Sequence, residues 1–485
     1  MDRWSEIVAR RAAYHPSRPA VWFRERWWTY GELEERARAA RGELLRLGVG
    51  PGDRVGLLSE NHLAYLDLMS AAGALGASLV PFNYRLAAAE LRTLREYVRP
   101  SVYFCQPSLG ADLESTIPLA DRWPEPPSNL QGSAAKVDDP ALLLFTGGTS
   151  GVPKAARISH RQLVTNAAST ILAWGLRPDD RCIVATPMFH AAMNALTTPL
   201  LHLGAQVLIQ ERFDPGEYLR WVGEHRPTLL FMVPTMYTAL AEHPEFSRTD
   251  FRSVRWALSG GAPCPDPIRE RFSELSVAFK QGYGLTEAGV NCFSIEPEEA
   301  ARFPQSVGRP VHHLEVRIDV GGADAKLGEV GELWLAGPMV MLGYWEQPSA
   351  NAEAFEEREG TRWLRTGDLA YRDDEGRYFI VGRSKEMFIS GGENVYPAEV
   401  ERAIDDHPDV IECAVVGIPD ERWGEVGLAA VVLRTDAIGP NDLSAFLRER
   451  LARYKVPKRW LVLESLPKSG AGKVLKRELP ALVES

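Results

Sequence analysis

The sequence predicts an α/β protein with a large N-terminal lobe of two α/β sheets and a β subdomain, followed by a small C-terminal α+β domain. Short apolar segments alternate with amphipathic helices through the first 300 residues, a pattern typical of parallel sheets covered on both faces. From His313 the apolar residues alternate with period two between Gly and Asp turns, which indicates a β subdomain at about 305–383. An α+β pattern after Arg383 places a boundary near residue 384, giving domains 1–383 and 384–485.

The first elements follow from apolar periodicity and from helix-end signals. Thr29 and Glu32 have capping-box spacing, and Gly48 supplies a stop, so a helix is expected from Thr29 to Leu47. The other helices expected here are 3–14, 62–75 and 87–97, and the strands are 20–23, 26–29, 54–59, 78–81 and 101–105. The segment 107–139 is rich in Pro, Ser, Asp and Gly without clear periodicity, so it is expected to be a surface connector.

The alternation of strands and helices then resumes. Apolar strands are expected at 141–145, 155–158, 182–187, 206–209, 228–233, 255–258 and 277–281, and helices at 159–174, 191–203, 218–225, 235–242 and 268–275, so that two consecutive α/β sheets fill this part of the chain. Period-two strands follow at 314–320, 331–335 and 378–381. In the C-terminal domain, Pro397 occupies the first turn of a helix, which is followed by strands at 411–417 and 427–433, a helix at 441–451 and a strand at 460–463.

Composition and charge narrow the functional classes. The apolar content of 45% and the charged content of 25% are ordinary for a soluble globular enzyme. The net charge is −10, but both signs are scattered and no basic block is present, which argues against a nucleic-acid partner. The five cysteines are widely spaced without a Cys-x-x-Cys pair, which disfavours disulfides and a zinc site and favours a reducing cytoplasm. Neither a signal core nor a membrane-spanning run is found, so a soluble protein is expected.

The segment from Phe145 to Lys154 is a candidate anion-binding loop between two strands. Its glycines let backbone N–H groups turn toward one point, while its hydroxyl groups and its terminal ammonium add donors there. The candidate residues are Thr146, Gly147, Gly148, Thr149, Ser150, Gly151 and Lys154. Pro153 before the lysine distinguishes the segment from the usual phosphate-binding P-loop. On composition alone, a mobile Gly/Thr turn is an equal alternative.

Three further clusters of glycine and polar residues follow predicted strands. They are Pro187–His190, Ser259–Pro263 and Gln281–Glu287. Ligands of open α/β sheets collect at the carboxyl ends of the strands, so these positions favour a binding site. Each cluster taken alone also fits a turn, but their recurrence at equivalent strand ends favours the site.

Five ordered motifs resemble those of the acyl-adenylate-forming superfamily, which contains acyl-CoA synthetases, beetle luciferases and the adenylation domains of peptide synthetases. They are Phe-Thr-Gly-Gly-Thr-Ser-Gly-Val-Pro-Lys at 145–154, Gly-Tyr-Gly-Leu-Thr-Glu at 282–287, Thr-Gly-Asp at 366–368, Gly-Arg-Ser-Lys-Glu followed by Gly-Gly-Glu-Asn-Val-Tyr-Pro within 382–397, and Pro-Lys-Ser-Gly-Ala-Gly-Lys at 467–473. The resemblance extends from Thr29 to Leu479, and the segment from Gly382 to Glu401 is most similar to acyl-CoA synthetases.

The resemblance implies an ATP-, Mg²⁺- and coenzyme A-dependent acid:CoA ligase. A carboxylic acid attacks the α-phosphorus of ATP to give an acyl-adenylate and pyrophosphate, and a thiol then displaces AMP. Catalysis of the first step is mainly electrostatic stabilisation and positioning. By resemblance, the loop 146–154 holds the β- and γ-phosphates, Glu287 holds Mg²⁺ and Thr286 bonds the α-phosphate, while His190 is a further candidate catalytic residue. Without the resemblance, Glu287 also fits an acidic residue at a helix N-terminus.

Further nucleotide contacts are implied in the same way. Asp368 would accept hydrogen bonds from both ribose hydroxyls, and Arg383 would reach the same ribose or phosphate region. Tyr283 would stack on the adenine base, although a tyrosine in such a position is otherwise an ordinary core residue. The residues expected to line the adenine slot are Gly260, Gly261, Ala262 and Pro263, and the glycines Gly282 and Gly284 flank Tyr283.

The C-terminal domain is implied to be mobile and to carry the catalytic lysine. Lys473 would bridge the attacking carboxylate and the α-phosphate, supplying positive charge during adenylation. Lys385 matches the family's hinge, about which the domain rotates between the two half-reactions. The rotation would bring in a face that completes a thiol tunnel, formed by Ser390, Gly391, Gly392 and Glu393. Trp423 resembles a tryptophan that packs along CoA in some members; ordinary core packing is the alternative.

The acyl group is expected to be apolar. The residues expected near it, which are small or apolar and include no basic side chain, are Ala191, Ala192, Met193, Met232, Val233, Gly282 and Gly284. A monocarboxylic acid is therefore favoured over a dicarboxylic acid. These residues do not distinguish a fatty chain from an aromatic ring.

Other functions within the superfamily remain alternatives. A carrier-loading enzyme that activates amino acids would have an aspartate where this chain has His190, because a carboxylate pairs with the substrate ammonium. A relative that only binds nucleotide would have no need for Lys473, Glu287 and Asp368 together. A luciferase-like oxygenase is disfavoured because paired histidines are not found after Phe189. One departure from the family pattern is Gly147, which stands where serine is common, so one hydroxyl donor is lost.

Overall fold

The computed structural model describes residues 3–110, 114–126, 135–146, 154–390, 393–435, 438–468 and 474–483. The chain divides into two compact units. The first unit comprises Met1–Ala262, Phe272–Val316 and Leu335–Arg365, and the second comprises Pro263–Arg271, Arg317–Trp334 and Thr366–Ser485. The domain boundary near residue 384 stays a prediction.

The elements alternate as the sequence predicts. The α-helices are α1 (Trp4–Tyr14), α2 (Tyr30–Arg46), α3 (Ala64–Leu75), α4 (Ala88–Val98), α5 (His160–Ala173), α6 (Met193–Leu203), α7 (Pro215–His225), α8 (Pro234–Glu242), α9 (Asp266–Glu274), α10 (Pro297–Arg302), α11 (Pro348–Ala354), α12 (Pro397–Asp405) and α13 (Pro440–Arg448). Within the described ranges, none of these helices has the length and apolar character that crossing a bilayer requires.

The strands complete the architecture. They are β1 (Pro19–Phe23), β2 (Arg26–Thr29), β3 (Arg54–Leu58), β4 (Ser78–Phe82), β5 (Val102–Cys105), β6 (Ile117–Pro118), β7 (Pro140–Thr146), β8 (Lys154–Ser159), β9 (Arg181–Val184), β10 (Gln206–Ile209), β11 (Leu229–Met232), β12 (Trp256–Ser259), β13 (Ala278–Gln281), β14 (Phe293–Ser294), β15 (Ser306–Pro310), β16 (Glu315–Val320), β17 (Ala323–Asp324), β18 (Gly331–Ala336), β19 (Gly343–Tyr344), β20 (Phe355–Arg358), β21 (Thr361–Arg372), β22 (Tyr378–Arg383), β23 (Phe388–Ser390), β24 (Glu393–Val395), β25 (Val410–Asp420), β26 (Gly424–Leu433) and β27 (Arg459–Val462).

The first unit contains the two predicted α/β sheets. Sheet 1 has the strand order β19-β8-β7-β4-β3-β5-β6, and sheet 2 has the order β13-β12-β11-β9-β10-β1-β2. The prediction that the sheets are consecutive in sequence is wrong, because β1 pairs in parallel with β10 through Val21 and Val207 and so joins sheet 2. Apolar periodicity identifies a strand but does not specify which distant strand it pairs with.

Local capping signals in the sequence determine where two of the helices begin. At α2 the predicted capping box is confirmed: the Glu32 N–H donates to Thr29 Oγ1 at 3.2 Å, and the Thr29 N–H donates to the Glu32 carboxylate at 2.8 Å. Helix α7 begins at Pro215 and not at the predicted Tyr218. Its N-cap is Asp214, whose side chain accepts from the Glu217 N–H at 2.7 Å, and a proline is well suited to the first helical position.

The candidate anion-binding loop connects two paired strands. Strands β7 and β8 are antiparallel neighbours, and Thr146 lies opposite Lys154 at the open end of the pair. The side chains of Leu142, Leu143 and Leu144 are buried and anchor β7 in sheet 1. The two predicted strands are therefore confirmed, and the ends that the loop connects, Thr146 and Lys154, are paired with each other.

The second unit contains a five-stranded sheet made of β24, β23, β26, β25 and β27. Alternate residues of β26 enter two separate apolar clusters, because neighbouring side chains of a strand point to opposite faces. Ala429 and Val431 pack with residues of α12 and α13, whereas Leu428 and Ala430 pack with Leu466 and others. The predicted α+β character is confirmed, while the short strands β23 and β24 were not predicted because their polar residues obscure the apolar alternation.

Candidate functional site

Three of the predicted polar clusters lie at one edge of sheet 2. Strands β9, β11, β12 and β13 are neighbours, with parallel pairing throughout, so their carboxyl ends share this edge. The Gly282 N–H donates to the Ser259 carbonyl at 2.7 Å, and Gln281 Nε2 donates to the Ala262 carbonyl at 3.1 Å. The residues predicted to surround adenine, Gly260 to Ala262 and Gly282 to Gly284, are thereby brought together.

Backbone conformation explains one of these glycines, and a close backbone contact explains another. Gly261 has φ +86°, a conformation that side-chain-bearing residues rarely adopt. At Gly284, a Cβ would lie 2.2 Å from the carbonyl oxygen of Val290, well inside van der Waals contact. The Gly-Tyr-Gly segment is thus fixed by the approach of a neighbouring backbone, in addition to any role in binding.

Replacing Gly284 by alanine is expected to destabilise the protein by about 1–3 kcal/mol, since the new methyl group would overpack against Val290. The measurement is the midpoint of thermal unfolding. A matched control is Gly223→Ala in α7, where a Cβ would meet no atom within 4 Å and alanine favours the helix. Equal midpoints for the two variants would contradict the proposed backbone constraint.

Glu287 is held by residues from sheet 1. The Tyr344 hydroxyl lies 3.0 Å from Glu287 Oε1 and donates to it, and the Met341 N–H donates to the Glu287 carbonyl at 2.7 Å. Lys154 Nζ lies 4.9 Å from the centre of the Tyr344 ring, a cation–π contact. The carboxylate of Glu287 and the ammonium of Lys154 therefore both contact one tyrosine, the first at its hydroxyl and the second at its ring.

The donor set around Glu287 fits Mg²⁺ bound together with a phosphate ligand. In the described part of the chain, His, Cys, Asp and Glu side chains form no group of three that could hold a metal. Mg²⁺ typically uses one or two protein carboxylates and takes its other oxygens from water and substrate phosphates. One carboxylate, oriented by the Tyr344 hydroxyl, matches that pattern.

Two other predicted residues have local contacts in the first unit. Tyr283 is half-buried, and its ring meets Phe293 edge-on with centroids 5.7 Å apart. His190 is half-buried at the end of the segment after β9; its N–H donates to the Pro187 carbonyl at 3.1 Å, and its ring centroid lies 4.5 Å from that of Phe189. Their roles in binding the base and in catalysis remain predictions.

A small cavity of about 20 Å³ lies behind Thr286. It is lined by Leu144, Ile158, Gln162, Leu163, Asn166, Ala191, Asn194, Thr286, Gly289 and Val290. Ala191 was predicted to lie near the acyl group, whereas the three amide side chains were not predicted. They belong to helices α5 and α6, where polar residues would ordinarily be expected to face solvent.

In the second unit, the two predicted ribose residues contact each other. Asp368 and Arg383 are opposite each other in the antiparallel pair β21·β22, and Arg383 Nε lies 2.9 Å from Asp368 Oδ1. The Asp368 N–H also donates to Thr366 Oγ1 at 3.0 Å. Asp368 is buried while Arg383 is exposed, so the arginine supplies the charge that a buried carboxylate needs.

The remaining predicted residues of the second unit are spread over several elements. Lys385 is exposed in the turn after β22, and Ser390 and Glu393 are opposite each other in the hairpin β23·β24. Trp423 is half-buried between β25 and β26, and Lys458 Nζ lies 3.5 Å from the centre of its ring. Pro263 is the first residue of the second unit, separate from Gly260 to Ala262.

Several predicted residues lie outside the described ranges: Gly147, Gly148, Thr149, Ser150, Gly151, Gly391, Gly392 and Lys473. Their roles stay predictions that rest on the motifs. Tyr344 is the main site residue that the sequence reasoning missed. Its only sequence signal is the pair Gly343-Tyr344, which is short and belongs to no predicted strand.

The chain is similar to several known proteins over nearly its whole length. Feruloyl-CoA synthase from Amycolatopsis sp is 41% identical over 484 residues, covering 97% of each chain. Indoleacetate–CoA ligase from Aromatoleum aromaticum is 35% identical over 503 residues, covering 99% of this chain and 98% of the relative. The structure of o-succinylbenzoate CoA synthetase from Bacillus subtilis, in complex with an acyl-adenylate intermediate, is similar with a TM-score of 0.88 and 30% identity, covering 99% of this chain and 98% of that one.

Family models match both parts of the chain. The model described as AMP-binding enzyme matches residues 8–345, and the model described as AMP-binding enzyme C-terminal domain matches residues 399–473. Together with the relatives, these matches confirm the resemblance inferred from the five motifs. The chain belongs to the AMP-binding enzyme family, within the acyl-adenylate-forming superfamily.

Proposed function

We propose that the protein is an ATP- and Mg²⁺-dependent acid:CoA ligase that acts on an aryl or fatty monocarboxylic acid. The observation that carries the proposal is the cluster of Glu287, Tyr344 and Lys154, which supplies a metal-binding carboxylate and a phosphate-binding ammonium at one place. The Bacillus subtilis synthetase, 30% identical with a TM-score of 0.87, has a structure in complex with ATP and magnesium ion, which supports the assignment of both ligands.

In the first half-reaction, an oxygen of the carboxylate attacks the α-phosphorus of ATP, and the bond to the pyrophosphate leaving group breaks. Lys154 and the loop before it bind the β- and γ-phosphates, and the Thr286 hydroxyl bonds the α-phosphate. Mg²⁺, held by Glu287, would neutralise part of the phosphate charge. Lys473 supplies positive charge between the two reacting anions, where electrostatic stabilisation contributes most.

Asp368 and Arg383 bind the ribose and its phosphate in this proposal. The carboxylate of Asp368 can accept one hydrogen bond at each oxygen, which suits two adjacent ribose hydroxyls. Its ion pair with Arg383 compensates the burial of this carboxylate. The half-buried ring of Tyr283 offers a face on which adenine stacks.

In the second half-reaction, the sulfur of coenzyme A attacks the acyl carbon and AMP leaves. We propose that residues 384–485 act as a mobile C-terminal domain that rotates about Lys385 between the two half-reactions. The rotation would carry Lys473 away from the active site and bring in the segment Ser390 to Glu393. Trp423, a half-buried ring with a cation on its face, would pack along the thiol carrier. The cytoplasm, where ATP and coenzyme A are plentiful and the five thiols stay reduced, is the proposed location.

An aromatic acid is the favoured substrate. The two relatives named above and the Bacillus subtilis synthetase are named for feruloyl, indoleacetate and o-succinylbenzoate groups, each of which contains an aromatic ring. The residues predicted near the acyl group are small or apolar, and none of the described residues that line the cavity behind Thr286 is basic. An uncharged ring fits these walls better than a second carboxylate does.

Pyrophosphate exchange, measured with a panel of aryl, fatty and amino acids, tests the proposed function. Exchange with aryl or fatty acids is expected, followed by release of AMP that requires coenzyme A. Exchange with amino acids alone would favour a carrier-loading enzyme. Exchange with no acid in the panel would contradict the proposal and favour a protein that only binds nucleotide.

A further inference from the structure

We propose that the cavity behind Thr286 recognises an uncharged hydrogen-bond donor, a hydroxyl or an N–H group, carried on the aromatic ring of the substrate. This inference rests on the proposed function and names the class of acid: a ring-hydroxylated or N–H-bearing aryl acid. Its basis is a pair of buried amide residues that line the cavity, Gln162 and Asn194, whose side-chain oxygens have no hydrogen-bond partner among the described residues.

Gln162 presents an acceptor whose orientation is fixed. The residue is 1% exposed, and its Nε2 donates to the Thr286 carbonyl at 3.4 Å. Because a carbonyl can only accept, the amide nitrogen must face Thr286 and Oε1 must face away from it. Oε1 has no hydrogen-bond partner among the described residues.

Asn194 places a second unpartnered acceptor on the opposite helix. It lies in α6, is 6% exposed, and its Oδ1 also has no partner in the described part of the chain. The third amide of the cavity is Asn166, whose Nδ2 donates to the Asn291 carbonyl at 3.1 Å and whose oxygen is not among the buried atoms without a partner. Buried polar atoms are nearly always paired in folded proteins, so two unpaired oxygens at one cavity point to a donor from outside the chain.

The walls restrict the chemistry of that donor. Apart from the amides and Thr286, the lining consists of Gly289 and the apolar residues Leu144, Ile158, Leu163, Ala191 and Val290, and none of the described lining residues is charged. An ammonium would be left without a counterion, and a carboxylate would face two amide oxygens, so a neutral donor fits best. A volume of about 20 Å³ accepts a hydroxyl-sized group but not a whole ring, so the cavity receives the substituent only.

The cavity adjoins Thr286, a residue proposed to bind the reacting phosphate. Gln162 contacts the backbone of Thr286, whose hydroxyl is proposed to bond the α-phosphate. We therefore place the donor on an aromatic ring near the reacting carboxyl group, and not at the far end of a long fatty chain. A site built to pair with a substrate hydroxyl rejects the analogue that lacks it, because the buried acceptors are then left unpaired.

The test compares matched acids on the purified full-length enzyme. Steady-state kcat/KM is measured for 4-hydroxycinnamate, 4-methylcinnamate and cinnamate, and for indoleacetate beside its N-methyl derivative. The wild-type enzyme is expected to favour each donor-bearing acid over its blocked or unsubstituted analogue by at least about 10-fold. These comparisons need no variant, so they hold whether or not a substitution disturbs folding.

Variants then assign the preference to the two amides. Gln162→Met and Asn194→Leu keep volume but remove an acceptor, and each is expected to reduce the ratio of kcat/KM for 4-hydroxycinnamate to kcat/KM for cinnamate several-fold. Leu163→Met, another lining residue, is the control and should keep the wild-type preference. Thermal melting of each variant establishes that it is folded.

The outcomes separate this inference from the proposed function. If cinnamate and 4-hydroxycinnamate are activated equally well, or if the preference survives unchanged in both amide variants, the amides bind only a buried water and the inference is overturned. The ligase assignment would stand in that case, since both acids are activated. Failure of every acid to support pyrophosphate exchange would instead contradict the ligase assignment, and with it the inference that rests on it.

Discussion

Replacing Lys473 by alanine is expected to lower the rate of pyrophosphate exchange by about 10²–10³-fold, the usual effect of removing one preorganised charge or donor from a transition state. Thioester formation from a supplied acyl-adenylate should change little, because the role proposed for Lys473, to bridge the carboxylate and the α-phosphate, ends once these two groups are joined. The two half-reactions are measured separately, the first by isotope exchange and the second by thioester formation with coenzyme A.

A lysine from the same segment provides the control. Lys468 forms an ion pair with Glu412 within the second unit, so Lys468→Ala removes an equal charge only five residues away without touching the assigned role. Its effect on pyrophosphate exchange should be small, as expected of a partly exposed ion pair. Equal losses in both half-reactions for Lys473→Ala, or equal effects of the two variants on exchange, would contradict the role given to Lys473.

The second large effect is expected at Glu287. Replacing this residue by glutamine keeps its size but removes the negative charge proposed to hold Mg²⁺, so pyrophosphate exchange should fall by about 10²-fold or more. The concentration of Mg²⁺ needed for half-maximal exchange should rise at the same time. Titration of exchange with MgCl₂ at fixed ATP measures both quantities, and removal of Mg²⁺ by a chelator should abolish exchange in the unmodified enzyme.

The contribution of Tyr344 can be separated from that of the carboxylate itself. Tyr344→Phe leaves the charge of Glu287 intact but removes the hydroxyl that donates to it at 3.0 Å. Exchange should decline by about 10-fold, since an oriented ligand becomes a mobile one. A Tyr344→Phe enzyme with unchanged Mg²⁺ dependence would show that the hydroxyl does not position the metal ligand.

Much of the fold was predictable because its signals are local. The capping box of α2 and the buried strands of sheet 1 are encoded within single segments, and the structure confirms them. The motifs also assigned Asp368 and Arg383 to the same ribose or phosphate region, and the antiparallel pair β21·β22 brings the two residues together. Where the residues that determine an element lie within one short segment, the sequence alone predicts that element.

The parts that were not predicted depend on contacts between distant segments. The joining of β1 to β10 connects residues more than 180 positions apart, and the contact of Tyr344 with Glu287 connects residues 57 positions apart. Likewise, only the packing of α5 and α6 shows that the side-chain oxygens of Gln162 and Asn194 are buried without a partner among the described residues. Periodicity within one segment carries no information on such pairings.

The pairing of Thr146 with Lys154 has a consequence for protein engineering. Since the two residues close the end of an antiparallel pair, the register of β7 and β8 is set below them by buried side chains and not by the connecting segment. Cassettes of altered length or composition, inserted between these two positions, should leave the sheet intact. Libraries built there would vary the segment proposed to bind the triphosphate and allow selection for enzymes that accept a different nucleotide.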